Sequence, residues 1–136
     1  MMPAATRGRS WLALAGAVAA VAGWNAGLAA EQAVETKSGI RAEKDIPYVA
    51  DGDPAQRLDL YLPDPPSEKP LPLVVWVHGG AWKGGSKAGC PALGMVRKGY
   101  AAASVEYRFS QKALYPAQIQ DCQAAIRWLR ANSKKY

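Results

Sequence analysis

The chain has 136 residues, with 17 Lys and Arg against 11 Asp and Glu for a net charge of +6, and it holds two cysteines and one histidine. That length allows one small domain. The basic residues are scattered from Lys37 to Lys135 with no stripe interleaved with aromatics, so no nucleic-acid partner is expected, and a single histidine with two unsuitably spaced cysteines leaves no metal site.

Residues 1–30 stand apart. Arg7 and Arg9 precede an uncharged stretch from Trp11 to Ala30 rich in Ala, Leu, Val and Gly, the layout of a secretory signal peptide. Small residues at Gly27/Ala29 and Leu28/Ala30 point to cleavage after Ala29 or Ala30. The competing reading is an uncleaved anchor, which wants about 20 strongly apolar residues. Asn25 and the interspersed Gly and Ala weaken it. Cleavage would leave 106 residues of net charge +4, secreted or periplasmic, with no stable membrane association. In that compartment Cys90 and Cys122 can either form a disulfide or persist as two small apolar side chains.

Residues 31–42 are polar and mixed in charge, the composition of a flexible leader, and residues 43–136 make up the expected folded part. A strand is predicted through Ile46–Ala50, then a turn at Asp51-Gly52-Asp53-Pro54. Arg57 to Leu62 alternates polar and apolar, as a strand with one wet face does, and the two strands together predict an antiparallel hairpin at a sheet edge. Five prolines between Pro63 and Pro72 mark an exposed connection. Leu73-Val74-Val75-Trp76-Val77 follows, an unbroken apolar run that fits a parallel strand buried on both faces.

A helix is expected within 87–98, with Pro91 near its first turn and Gly99 as its stop. Tyr100 to Tyr107 reads as a strand. The last segment is a helix starting near Pro116, with Ile119, Cys122, Ile126 and Leu129 as the apolar face and Lys134 and Lys135 at its C-terminal end. The order predicts an α/β fold, an antiparallel hairpin followed by a βαβα unit.

The chemical signal is the apolar strand running directly into His78-Gly79-Gly80-Ala81-Trp82. Glycines there let the backbone turn its N–H groups toward a cavity unobstructed by side chains, a device for holding negative charge on oxygen. A P-loop nucleotide site is the rival, but it needs Lys then Ser or Thr directly after its second spaced glycine. Here Gly80 and Gly85 are followed by Ser86 and then Lys87, the wrong order.

The stretch Leu73–Trp82 resembles the third strand and HGG-type oxyanion loop of α/β-hydrolase esterases and lipases. Further matches come in order: Gly99-Tyr100, Val105-Glu106-Tyr107-Arg108, Pro116-Ala117-Gln118, Asp121-Cys122 and Ala124-Ala125-Ile126-Arg127-Trp128-Leu129. Together they are similar to secreted bacterial esterases of the acetyl-xylan and feruloyl esterase-like group, over roughly residues 46–136. The resemblance implies a serine hydrolase of carboxylic esters, small or on polysaccharide, that needs no cofactor. It implies that the N–H groups of Gly80 and Ala81 form the oxyanion hole with Gly79 shaping the turn. Trp82 then either lines the substrate pocket or packs.

In that family the triad follows the oxyanion loop in the order Ser, acid, His, so His78 is expected to position the loop rather than act as base. Gly84-Gly85-Ser86-Lys87-Ala88 comes nearest to a nucleophile elbow, but no strand precedes it and Ala ends it. Ser104, Ser110 and Ser133 fall in or after elements, away from a strand-to-helix corner. The elbow is expected one short loop and one strand beyond Tyr136. The 136 residues are therefore expected to be the N-terminal part of the hydrolase sheet, incomplete and inactive alone, or else a non-catalytic remnant or binding module.

Overall fold

A computed structural model describes residues 34–37 and 39–136. Residues 1–30, where a signal peptide and its cleavage site are expected, lie outside the described residues. Five strands form one sheet: β1 (Val34–Lys37), β2 (Ile40–Pro47), β3 (Arg57–Pro63), β4 (Leu73–Val77) and β5 (Ala101–Val105), in the spatial order β1-β2-β3-β5-β4. The first three are antiparallel neighbours, β3 pairs antiparallel with β5, and β5 pairs parallel with β4, placing Val77 opposite Val105. Two helices complete the unit, the single turn α1 (Leu93–Val96) and the long α2 (Ala117–Ala131). The expected order of hairpin and βαβα unit is present.

The sheet begins earlier than the composition suggests. β1 and the start of β2 lie inside the segment read as a leader, because backbone pairing at a sheet edge asks for no apolar side chains and tolerates charged ones. β2 reaches Pro47 through an irregularity between Glu43 and Ile46, where Asp45 takes φ +56°.

β3 has no wet face. Leu58, Leu60 and Leu62 pack with Ala103, Val105, Ala125 and Leu129 on the α2 side, while Tyr61 packs with Ala102, Cys90 and Val96 on the α1 side, so both faces are covered. β4 is the opposite case. Expected to be buried on both faces, it is an edge strand among the described residues, with Leu73 and Val77 exposed. Its apolar character comes without a second strand partner here.

The helix expected over 87–98 is broken into a 3₁₀ turn at Lys87–Gly89 and the four residues of α1. Pro91 falls between the two pieces, where its missing N–H and the restriction it places on Cys90 stop a continuous helix. α2 begins at Pro116 as expected, yet presents another face. Its buried residues are Ala117, Gln118, Asp121, Ala125 and Leu129, and Ile119 and Ile126 are each 38 % exposed. Cys90 belongs to the core on the α1 side and Cys122 to α2 on the other, so the sheet separates them and both thiols are free.

Candidate active site

β4 ends at Val77 and delivers His78 into a turn in which Gly80, Ala81 and Trp82 all have positive φ, +123°, +53° and +62°. Gly80 has no alternative: a Cβ on it would lie 2.0 Å from the Gly84 carbonyl oxygen. For Ala81 and Trp82 the left-handed region costs about 1–3 kcal/mol each, a strain that persists only where surrounding contacts impose it. Those contacts are visible. Lys83 N donates to Gly80 O at 3.0 Å, Ser110 N to Trp82 O at 2.8 Å, and the Gln111 side-chain amide to Lys83 O at 3.0 Å.

The turn is thus tied to the loop after β5 by its carbonyls, while the N–H groups of Gly80, Ala81 and Trp82 donate to no acceptor among the described residues. The three residues are exposed. Successive free N–H groups in a turn form a concavity suited to an anion.

His78 is buried, 5 % exposed, and both ring nitrogens are engaged. Nδ1 lies 2.8 Å from Gly79 O and Nε2 2.5 Å from Glu106 Oε1. Both ring nitrogens thus have a partner within the protein, which ties the imidazole to the turn through Gly79 and to the residue after β5 through Glu106. The Tyr107 ring stacks on it at 4.4 Å and 15°, the Tyr107 hydroxyl donates to His78 O at 3.0 Å, and Phe109 meets it edge-on. Burial raises the Tyr107 pKa, which keeps the phenol a donor. A histidine so enclosed braces the turn, with its ring buried and both nitrogens occupied within the protein. Trp82 packs edge-on against Tyr107 at 5.2 Å and still remains 42 % exposed, so it both packs and faces solvent beside the turn.

Glu106 is the residue that sequence reasoning passed over. Its Oε1 holds His78, and its Oε2 accepts from Lys87 N at 3.1 Å. Lys87 in turn reaches into the sheet: Nζ lies 2.6 Å from Asp59 and 2.9 Å from Asp45. Burial works against the charge on Lys87, but the two carboxylates outweigh it and the pKa rises. Asp59 was read as a wet-face residue; it is 2 % exposed and also accepts from Asp45 N at 2.9 Å.

Asp121 fixes the other side. Its Oδ1 accepts from the Gln56 amide at 2.7 Å and from Arg108 at 2.8 Å, and its Oδ2 from Arg108 Nε at 2.9 Å and Arg108 N at 3.1 Å. Burial opposes the charge, but these donors prevail and hold the carboxyl below its ordinary value. Gln118 adds bonds to the carbonyls of Arg108 and Ala113, so α2 grips the loop carrying Tyr107 and Phe109.

None of the five serines among the described residues stands at a strand-to-helix corner. Ser104 is buried in β5 and donates to Lys87 O, Ser86 caps the 3₁₀ turn by accepting from Ala88 N, Ser67 turns within the proline-rich connection, and Ser110 and Ser133 lie in loops. A crevice of about 330 Å³ near the turn is lined by Ala55, Gly85, Glu106, Tyr107, Phe109, Gln111 and Lys112 and by none of His78 to Trp82. A larger hollow of about 390 Å³ lies at the opposite end of β4 and β5, under the proline-rich connection, and includes no residue of the turn.

Known proteins place this arrangement. The BD-FAE family matches over residues 58–136, more than half of the chain. Esterase LipC of Mycobacterium tuberculosis is 38 % identical over 87 residues, which are 62 % of this chain and 22 % of LipC. Among solved structures, a bifunctional GH43-CE protein of Bacteroides eggerthii superposes with a TM-score of 0.62 at 38 % identity, covering 70 % of this chain and 13 % of that one. A truncated carbohydrate esterase from gut microbiota superposes at 0.58 and 32 % identity, covering 79 % and 37 %. The chain thus spans about a fifth of the length of LipC and under two fifths of these structures. The strand-to-glycine turn, the sheet order and these matches together place the chain in the BD-FAE family, within the esterases of the α/β-hydrolase fold.

Proposed function

We propose that this chain supplies the anion-holding side of an active site that hydrolyses carboxylic esters. The observation that carries the reading is the pair of unpartnered N–H groups on Gly80 and Ala81, at the end of β4 in an exposed turn held by the carbonyls of Gly79, Gly80 and Trp82 and by the buried His78. In acyl transfer the carbonyl oxygen becomes an alkoxide when the nucleophile adds, and two amides waiting for it stabilise that charge without rearranging. His78 and Gly79 shape the turn, and Trp82 borders the bound ester. The nucleophile, its acid and its base are supplied by other residues of the full gene product.

Carbohydrate esters are the proposed substrate class, supported by the names of two structural neighbours, a bifunctional GH43-CE and a carbohydrate esterase. Export directed by residues 1–30 agrees with a polymer substrate outside the cell; the mass of the exported protein tests it, since a product retaining Met1 argues against cleavage. The function is tested on the full gene product with p-nitrophenyl acetate and acetylated xylan. Gly80→Pro, which deletes one donor and whose Cβ also forces the turn away from Gly84 O, should lower kcat by at least about 100 to 1,000-fold. An unchanged rate in a folded variant overturns the assignment.

A further inference from the structure

Lys87 lies outside the glycine turn, yet all of its polar groups are engaged and one of them leads to the turn. The ammonium is anchored on Asp59 and Asp45, the carbonyl accepts from Ser104 Oγ at 2.6 Å, and the amide donates to Glu106, whose other oxygen holds His78. Among the described residues the segment is otherwise held only at its ends, where Gly85 packs on His78 and Cys90 enters the core. The 3₁₀ turn Lys87–Gly89 has no buried residue, and Gly84, Gly85 and Gly89 around it give the backbone little stiffness of its own. The Lys87 amide is therefore placed by polar ties, the ion pair across to β3 together with the Ser104 bond to its carbonyl. Such pairs add little net stability against apolar substitutes of equal volume, and a role in fixing geometry accounts for one here.

We propose that Lys87 is a positioning residue of the ester-hydrolysing site, which with its anchor Asp59 fixes Glu106 and, through Glu106, the His78 ring beneath the Gly80–Ala81 donors. The inference rests on the reading of those amides as an oxyanion hole. Neither Lys87 nor Asp59 is placed against substrate.

The test uses the full gene product carrying Asp59→Asn with Lys87→Met, which removes both charges together. Expected are a kcat on p-nitrophenyl acetate lower by about 10 to 100-fold with KM within about twofold, as for a small misplacement of catalytic groups. Displaced imidazole NMR signals of His78 should accompany it, and Lys87→Arg should keep most of the rate. Adding Glu106→Gln should cause little further loss, because residues acting through one network are not additive. Should the paired variant not fold, Asp45→Asn, at a side chain 61 % exposed, removes one anchor and should lower kcat severalfold. Unchanged kcat and unchanged His78 signals in a folded variant overturn the proposal, as does full additivity with Glu106→Gln. If the unaltered protein hydrolyses no ester while the His78 signals still shift, the ester reading fails and the anchoring of His78 by Lys87 stands.

Discussion

Gly85 packs so closely on His78 that a Cβ placed on it would lie 2.2 Å from Nδ1 and 2.4 Å from Gly79 O. Its φ of +111° also belongs to glycine alone. Gly85→Ala should therefore push the ring or the turn out of place, costing about 1–3 kcal/mol as overpacking does, and should reduce ester hydrolysis in step. Gly84→Ala is the matched control, since its added methyl would meet nothing within 4 Å. The urea midpoints of the two variants check the difference.

His78 holds the turn by hydrogen bonds to Gly79 and Glu106. His78→Asn in the full gene product should lower kcat by about 10 to 100-fold, the scale of misplacement. Removal of a true triad base costs about a millionfold. The shape of the pH–rate profile should stay that of the unaltered enzyme. Loss of the limb assigned to the general base would instead identify His78 as that base.

The Asp121 carboxyl is held below its ordinary value of 3.8 by Arg108 and Gln56. A depressed folded pKa contributes stability in full above 3.8 and loses it as pH falls through the lower, folded value. Asp121→Asn should flatten the stability curve on that acid limb. At neutral pH it should cost about 3 kcal/mol, the low end for breaking a buried pair, because Arg108 keeps a 28 % exposed side chain. Thermal melts from pH 2 to pH 7 measure both effects.

Cys90 and Cys122 lie on opposite sides of the sheet, and burial raises both thiol pKa values. The folded protein should therefore carry Cys90 and Cys122 as unpaired, slowly alkylated thiols at neutral pH, and a reductant should leave its Tm unchanged. A mass lower by two hydrogens, restored on reduction, counts against this.

The sequence made the site's frame legible and its bracing illegible, for identifiable reasons. Leu73–Val77 followed by glycines is a local pattern, and so is the helix starting at Pro116; both are seen where expected. The face of α2 was misread because apolar spacing picked out Ile119 and Ile126, whereas Gln118 and Asp121 turn inward to meet Gln56 and Arg108, residues distant in sequence. Asp59 fits an alternating strand pattern as a solvent-facing residue, and Glu106 carries no local signal beyond its place at the end of a strand. Only the fold brings Lys87 and His78 to them. Polar residues buried by mutual bonding carry no periodic signature, and here they are the ones that hold the turn.

One flank of β4 is hydrogen-bonded to β5, and among the described residues the other presents the bare backbone of Leu73-Val74-Val75-Trp76-Val77. A segment zipping onto that flank would run about 4.8 Å away, with its end brought level with Gly80 and Ala81. A strand added there would therefore do more than stabilise the sheet: a side chain at its end would stand beside those amides, and completing the sheet would complete their surroundings too.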